Sequence, residues 1–165
     1  MPHRLRTLLT ALVFLAGAAS VPAMAQSSRQ AVLPADTRVE VPDANVLARL
    51  VWSTLVAVDN ANRADDYGVL RALGTESFQR SQSEASLRAA FAPLRRSRID
   101  VGRTLNQTPR YSMPPTVDAR SHLRLRGGFL SRPRDVRFDL IYALESGAWR
   151  LQAVSVVELD GDVPL

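Results

Sequence analysis

Apolar residues recur every three or four positions as far as Ser97 and every second position beyond it. That one change of period confines the chain to helices first and a sheet second, an α+β arrangement with the helices on one face of the sheet. Asp43 stands where an N-cap belongs, and Leu47, Leu50, Val51, Leu55 and Val58 then mark one stripe of a long amphipathic helix from Ala44 to about Arg63. A second, short helix is expected over Tyr67 to Leu73, re-capped near Asp65-Asp66 and closed by Gly74. Ser83 caps a third, with Leu87, Phe91 and Leu94 on one face and Pro93 in its final turn.

Beyond Ser97, Ile99 to Leu105 is a weak strand candidate. Gln107 to Val117, with Pro109, Pro114 and Pro115, is an irregular crossing. Three stronger strands follow. Ser121 to Phe129 alternates Leu123 and Leu125 with His122, Arg124 and Arg126, and Gly127-Gly128 then reads as a bulge or bend. Val136, Phe138, Leu140, Tyr142 and Leu144 alternate without a break, and Glu145-Ser146-Gly147 turns the chain into a hairpin partner running from Ala148 to Leu159.

The arginines crowded between Arg120 and Leu140 raise the question of a polyanion site. Alternation puts Arg124, Arg126 and Arg137 opposite Leu123, Leu125, Val136 and Phe138, on the outer face of the sheet. A polyanion site would call for a large net positive charge and aromatics interleaved with the cations, whereas Asp135 and Asp139 interrupt the run and the net charge beyond the N-terminal leader is small. A solvated or interface face is therefore expected, and no nucleic-acid partner.

Arg4 and Arg6, the uncharged run Leu8 to Ala19, and Ala23-Met24-Ala25 have the form of a signal peptide, residues 1–25, cut after Ala25. The expected destination is the periplasm or the medium, with no stable membrane insertion once the leader is gone. With Arg4 and Arg6 removed, nineteen arginines face sixteen acidic residues, a charge of only +3. The high isoelectric point reflects the absence of lysine, since every cation is arginine. No cysteine is present, which excludes a disulfide framework, thiol chemistry and a lipid-anchored lipoprotein. Residues 26–42 read as a tether, 43–159 as the folded domain and 160–165 as a tail.

"VAVDNANRADDYGVLRAL" followed by "ESF" resembles the first helix, acidic break, second helix and Phe of the NTF2-like, or SnoaL-like, superfamily, and "VRFDLIYALESGAWRLQAVSV" resembles its closing hairpin. The resemblance covers roughly Asp43 to Val157. It implies a cone of three helices on a curved, mostly antiparallel sheet of about four strands, with a ligand held between the long helix and the concave sheet face. It implies no particular reaction, because that fold hosts isomerases, dehydratases, transport factors and plain binding domains.

On that geometry Trp52, Asp59, Phe138, Tyr142 and Trp149 are the candidates for lining a pocket, and each has the plainer alternative of filling the core or an edge of the helix. The ketosteroid isomerase pattern of acids pointing into the cavity is not matched, since the inward positions of the strand read Val136, Phe138, Leu140 and Leu144, with Tyr142 the one polar tip. His122 is the single histidine beyond the leader and falls with the outward arginines. Neither a His-Asp dyad nor a zinc site is expected. Hydrolase and phosphate-loop signatures are absent. No catalytic residue, metal or cofactor is assigned.

Three functions stay open: a non-catalytic exported domain binding a small apolar ligand or a partner protein segment, a cavity isomerase or dehydratase using Asp59 and Tyr142, and an assembly module. For the last, Arg137, Asp139 and Ile141 are expected to share the outward face with Arg150, Gln152, Val154 and Val156. That patch would join two copies sheet to sheet as a homodimer.

Overall fold

The computed structural model describes residues 39–98, 100–130 and 134–160. The expected leader, most of the tether and the end of the tail lie outside the described residues. The long helix α1 spans Ala44–Ala64. Asp43 caps it as its position in the sequence requires, its carboxylate accepting from the backbone N–H groups of Asn45 and Val46 at 2.8 and 3.0 Å. Asp65 ends it in the left-handed conformation, at φ 53°. Leu47, Val51, Thr54, Leu55 and Val58 form its buried stripe.

The remaining helices are more numerous and shorter than the expected two: α2 (Gly68–Ala72), α3 (Glu76–Ser81), α4 (Glu84–Ala90) and α5 (Ala92–Arg96). Thr75 caps α3, its hydroxyl accepting from the Phe78 N–H at 3.0 Å. Ser83 caps α4 as expected. The helix that aligns Leu87, Phe91 and Leu94 is broken at Phe91, so Pro93 lies in the first turn of α5, where its missing N–H costs nothing. Tyr67, fully buried before α2, stacks on Phe91 at a centroid separation of 6.1 Å, and the Arg88 and Arg95 guanidiniums lie within 6 Å of its ring.

The strand expected over Ile99 to Leu105 is not one. Val101–Asn106 is a 3-10 helix, and Ile99 lies outside the described residues. Its Val101 and Thr104 are both buried, and the Thr104 hydroxyl bonds back to the Val101 carbonyl at 2.8 Å. Two buried positions three apart suit a 3-10 turn, whose side chains at i and i+3 eclipse, better than a strand.

The sheet has five antiparallel strands and is neither closed nor strongly curled. Two are two-residue pieces of the crossing segment, β1 (Arg110–Tyr111) and β2 (Thr116–Val117), and both pair with β3 (His122–Phe129). β3 pairs with β4 (Arg134–Glu145), and β4 with β5 (Ala148–Asp160) through a two-residue turn. Ser146 and Gly147 both have positive φ in that turn, as a tight hairpin demands. Leu123, Leu125, Val136, Phe138, Leu140 and Tyr142 are buried on the face that meets α1.

Gly127-Gly128 is not a bulge, for the β3–β4 register runs unbroken through it. Gly127 is needed because β1 comes close: a Cβ there would lie 2.0 Å from the Arg110 carbonyl oxygen. The one register shift between β4 and β5 falls at Ile141/Tyr142, where Ile141 faces Ala153 and Tyr142 faces Leu151, leaving Gln152 as the extra residue. Its consequence is a correction to the expected patch. Beyond Gln152 the faces of β5 are exchanged, so Val154 pairs with Leu140 and Val156 with Phe138, both on the core side. Val156 is only 5% exposed. The outward positions are Ala153, Ser155 and Val157 instead.

Candidate functional site

The five interior candidates do not converge on one cavity. The Tyr142 hydroxyl donates to the Leu50 carbonyl and accepts from the Thr54 hydroxyl, each at 2.8 Å, which ties β4 to α1. Burial pushes its ionisation far above the ordinary tyrosine value, against the smaller opposing effect of Thr54, so it stays a neutral donor. Phe138 is enclosed by Tyr111, edge-on at 6.2 Å, and by Phe129 at 5.8 Å. Trp149 packs against the rim of the core opposite Leu144, next to the hairpin turn.

Trp52 and Asp59 do share one edge of α1, as their seven-residue spacing implies, but that edge faces the 3-10 helix. The Trp52 indole N–H donates to the Gln107 carbonyl at 3.2 Å. The buried Asp59 carboxylate meets the Arg63 guanidinium at 2.7 Å, and the same guanidinium reaches Asp100 at 3.2 Å. Asp59 lines a polar cleft of about 370 Å³ with Asn62, Arg63, Arg95, Arg98 and Asp100, two of whose residues are carboxylates set among three guanidiniums. Asp59 is thus committed to an ion pair and Tyr142 to two hydrogen bonds, in different surroundings.

The outer face of the sheet holds the other group of candidates. Arg124 and Arg126 flank Asp139 across the β3–β4 ladder: Arg124 spans both carboxylate oxygens through Nε and Nη2 at 2.9 and 2.7 Å, and Arg126 reaches Oδ2 through the same two nitrogens at 3.0 and 2.6 Å. The Arg124 hydrogen bond is the largest of the influences that hold the Asp139 carboxyl below the usual aspartate range. Arg137 lies 3.8 Å from Asp135. His122 sits on this face too, its Nδ1 3.4 Å from Asp118. Arg150 belongs to the face by register but sends its guanidinium to the Ala72 carbonyl, at 3.3 Å.

On this side of β3, β4 and β5 the sheet carries a groove of about 570 Å³ lined by Met113, Arg126, Arg137, Asp139, Val157 and Leu159 among others. Val157 and Met113 are 45% and 48% exposed. Ile141 and Ala153 are half-buried side by side further along. Sequence reasoning placed Arg137, Asp139 and Ile141 here but missed Met113, Val157 and Leu159. A signal for the last two was present: apolar residues of the final strand sit at odd positions up to Leu151 and at even ones at Val154 and Val156, and such a change of parity is what a bulge produces. Met113 could not be placed, because nothing in its Pro-rich segment fixes a period.

Among the described residues no three His, Cys, Asp or Glu side chains gather as a metal site would need, and no helix is long and apolar enough to cross a membrane. No protein-family model matches the chain, and neither a curated protein nor a solved structure matches it.

Proposed function

We propose that the chain is an exported, non-catalytic binding domain of the NTF2-like kind that binds through the outer face of its sheet and not through its interior. One contrast carries this reading. Inside, Tyr142 and Trp52 are engaged by hydrogen bonds and Asp59 by an ion pair, whereas outside, the described residues form an apolar and cationic groove, to whose lining Phe138 also belongs. A cavity isomerase or dehydratase needs an acid and a base that share a substrate, and Asp59 and Tyr142 belong to separate clusters. The order of helices followed by an antiparallel sheet supports the family reading at the level of fold alone.

The test is saturable binding of a neutral apolar dye. Nile red should brighten on the folded domain with a single-site isotherm, and Val157→Asp should abolish the signal while circular dichroism shows the fold retained. Absence of binding by the unmodified protein, or binding indifferent to Val157→Asp, removes the outer face as the binding surface.

A second reading, the assembly module, is favoured by Ile141 and Ala153, which extend the apolar surface beyond the groove. A second copy seated there would be joined through Ile141, Ala153 and Val157 in place of Val154 and Val156.

A further inference from the structure

We infer that the groove on the outer sheet face takes an amphipathic anion, a medium-length alkyl chain ending in a carboxylate; this rests on the reading of that face as the binding surface.

The charge at one end of the groove is fixed by count and geometry. Two guanidiniums share one carboxylate at Asp139, so one positive charge is left uncompensated there. Both arginines engage Asp139 through Nε and Nη2, and neither Nη1 makes a hydrogen bond among the described residues. Each therefore keeps donors in a fixed orientation for a second acceptor, and an ionised acceptor makes the stronger bond. Arg124 and Arg126 are both close to half exposed, so such an acceptor can reach them. A cation is disfavoured at the same point. The Asp139 oxygens already receive four N–H groups, and a ligand cation would have to displace an arginine to use them.

The apolar end is fixed by register. Ser155 lies opposite Asp139, Val157 opposite Arg137 and Leu159 opposite Asp135, all on the outward face. Alternate residues of a strand are ~7 Å apart, so Val157 and Leu159 stand ~7 and ~13 Å along the sheet from the Asp139 position. Met113 forms part of the same lining. A head group at Arg126, two strands and ~10 Å across the sheet from β5, thus sends an alkyl chain obliquely over β4 to Val157, ~12 Å away, with Leu159 beyond it. An ordinary peptide would have to bury unpaired backbone groups on this face, because the strands beneath it direct their hydrogen bonds along the sheet.

The experiment displaces Nile red from the full domain with octanoate, 1-octanol and octyltrimethylammonium, which share a chain and differ in head-group charge. Octanoate should displace the dye at about a tenfold lower concentration than octanol, the scale of one charge-assisted contact, and the cation least well. Arg126→Gln should bring octanoate and octanol together and Arg126→Lys should restore part of the gap. The ratio is read within each variant, so it does not depend on that variant's affinity for the dye. Equal displacement by octanoate and octanol, or a gap untouched by Arg126→Gln, overturns the anion inference and leaves the outer-face reading standing. Failure of the unmodified domain to bind Nile red overturns both.

Discussion

The Tyr142 hydroxyl and the Thr54 hydroxyl meet at 2.8 Å where β4 crosses α1, and Tyr142 donates its own O–H to the Leu50 carbonyl. This pair is the polar fixing point of an otherwise apolar contact. Tyr142→Phe leaves the Thr54 hydroxyl buried without its acceptor and should cost about 1 to 2 kcal/mol, read as a lowered urea midpoint with an unchanged slope.

The same residue sets an alkaline limit. Its ionisation is raised in the fold and begins near pH 10 in the unfolded chain, so above pH 10 the unfolded state holds fewer protons than the native one. The native state's advantage is intact below pH 10 and falls as the pH climbs past it. Tyr111, also raised by burial, adds to the slope. Urea midpoints measured from pH 8 to 11 should decline for the unmodified protein and decline less steeply for Tyr142→Phe.

Asp139→Asn should release Arg124 and Arg126 from their shared carboxylate. Both arginines are exposed, so the loss should be small, about 0.5 to 1 kcal/mol, and smaller still in high salt. The Asp139 contribution has the opposite pH dependence to that of Tyr142. Its carboxyl is lowered in the fold, so the stabilisation is present above the unfolded aspartate value and disappears as the pH falls through the folded one. Thermal melts of both proteins should differ at pH 7, and the difference should narrow progressively as the pH is lowered below the unfolded aspartate value.

Two glycines separate steric from conformational need. Gly127→Ala drives a methyl group into the Arg110 carbonyl and should cost about 2 to 3 kcal/mol as β1 is displaced. Gly147→Ala meets nothing within 4 Å and should cost only about 1 kcal/mol, for its φ of 77°. Equal melting temperatures for the two variants would show that β1 yields freely.

Self-association has a sharper test than the sequence alone suggested. Val154→Asp with Val156→Asp now places charge in the core and should unfold the domain, with loss of its circular dichroism. Val157→Asp should keep the fold, and if two copies join through this face it should shift sedimentation from dimer to monomer. A folded Val154→Asp/Val156→Asp protein would contradict the observed register.

What the sequence disclosed was whatever had a strong period. Asp43, the α1 stripe and the alternation from Val136 to Tyr142 are visible because burial repeats along one element. The short helices α3 to α5 were merged or missed because five to seven residues give barely two turns of pattern. The 3-10 segment was misread as a strand because its period of three is established by only two buried residues, Val101 and Thr104. The outer site was half legible. Arg124, Arg126 and Asp139 follow from alternation alone, but the identity of their apolar neighbours depends on Gln152, and on a loop that reaches the face from elsewhere in the chain.

Gln152 is held by its amide, which accepts from the Thr75 hydroxyl at 2.7 Å and reaches Ser77 at 3.4 Å. Replacing the side chain forfeits those bonds and little else. Drawing the residue into the ladder opposite Ile141 would do far more, because every later side chain of β5 would then change sides at once, turning Val154 and Val156 to solvent and Ser155 and Val157 to the core, whereas deleting it would join Leu151 to Ala153 and leave the later pairings as they are. The position behaves like a silent letter: respelt or struck out, it leaves the rest of the strand legible, but sounded in the ladder it garbles everything after it.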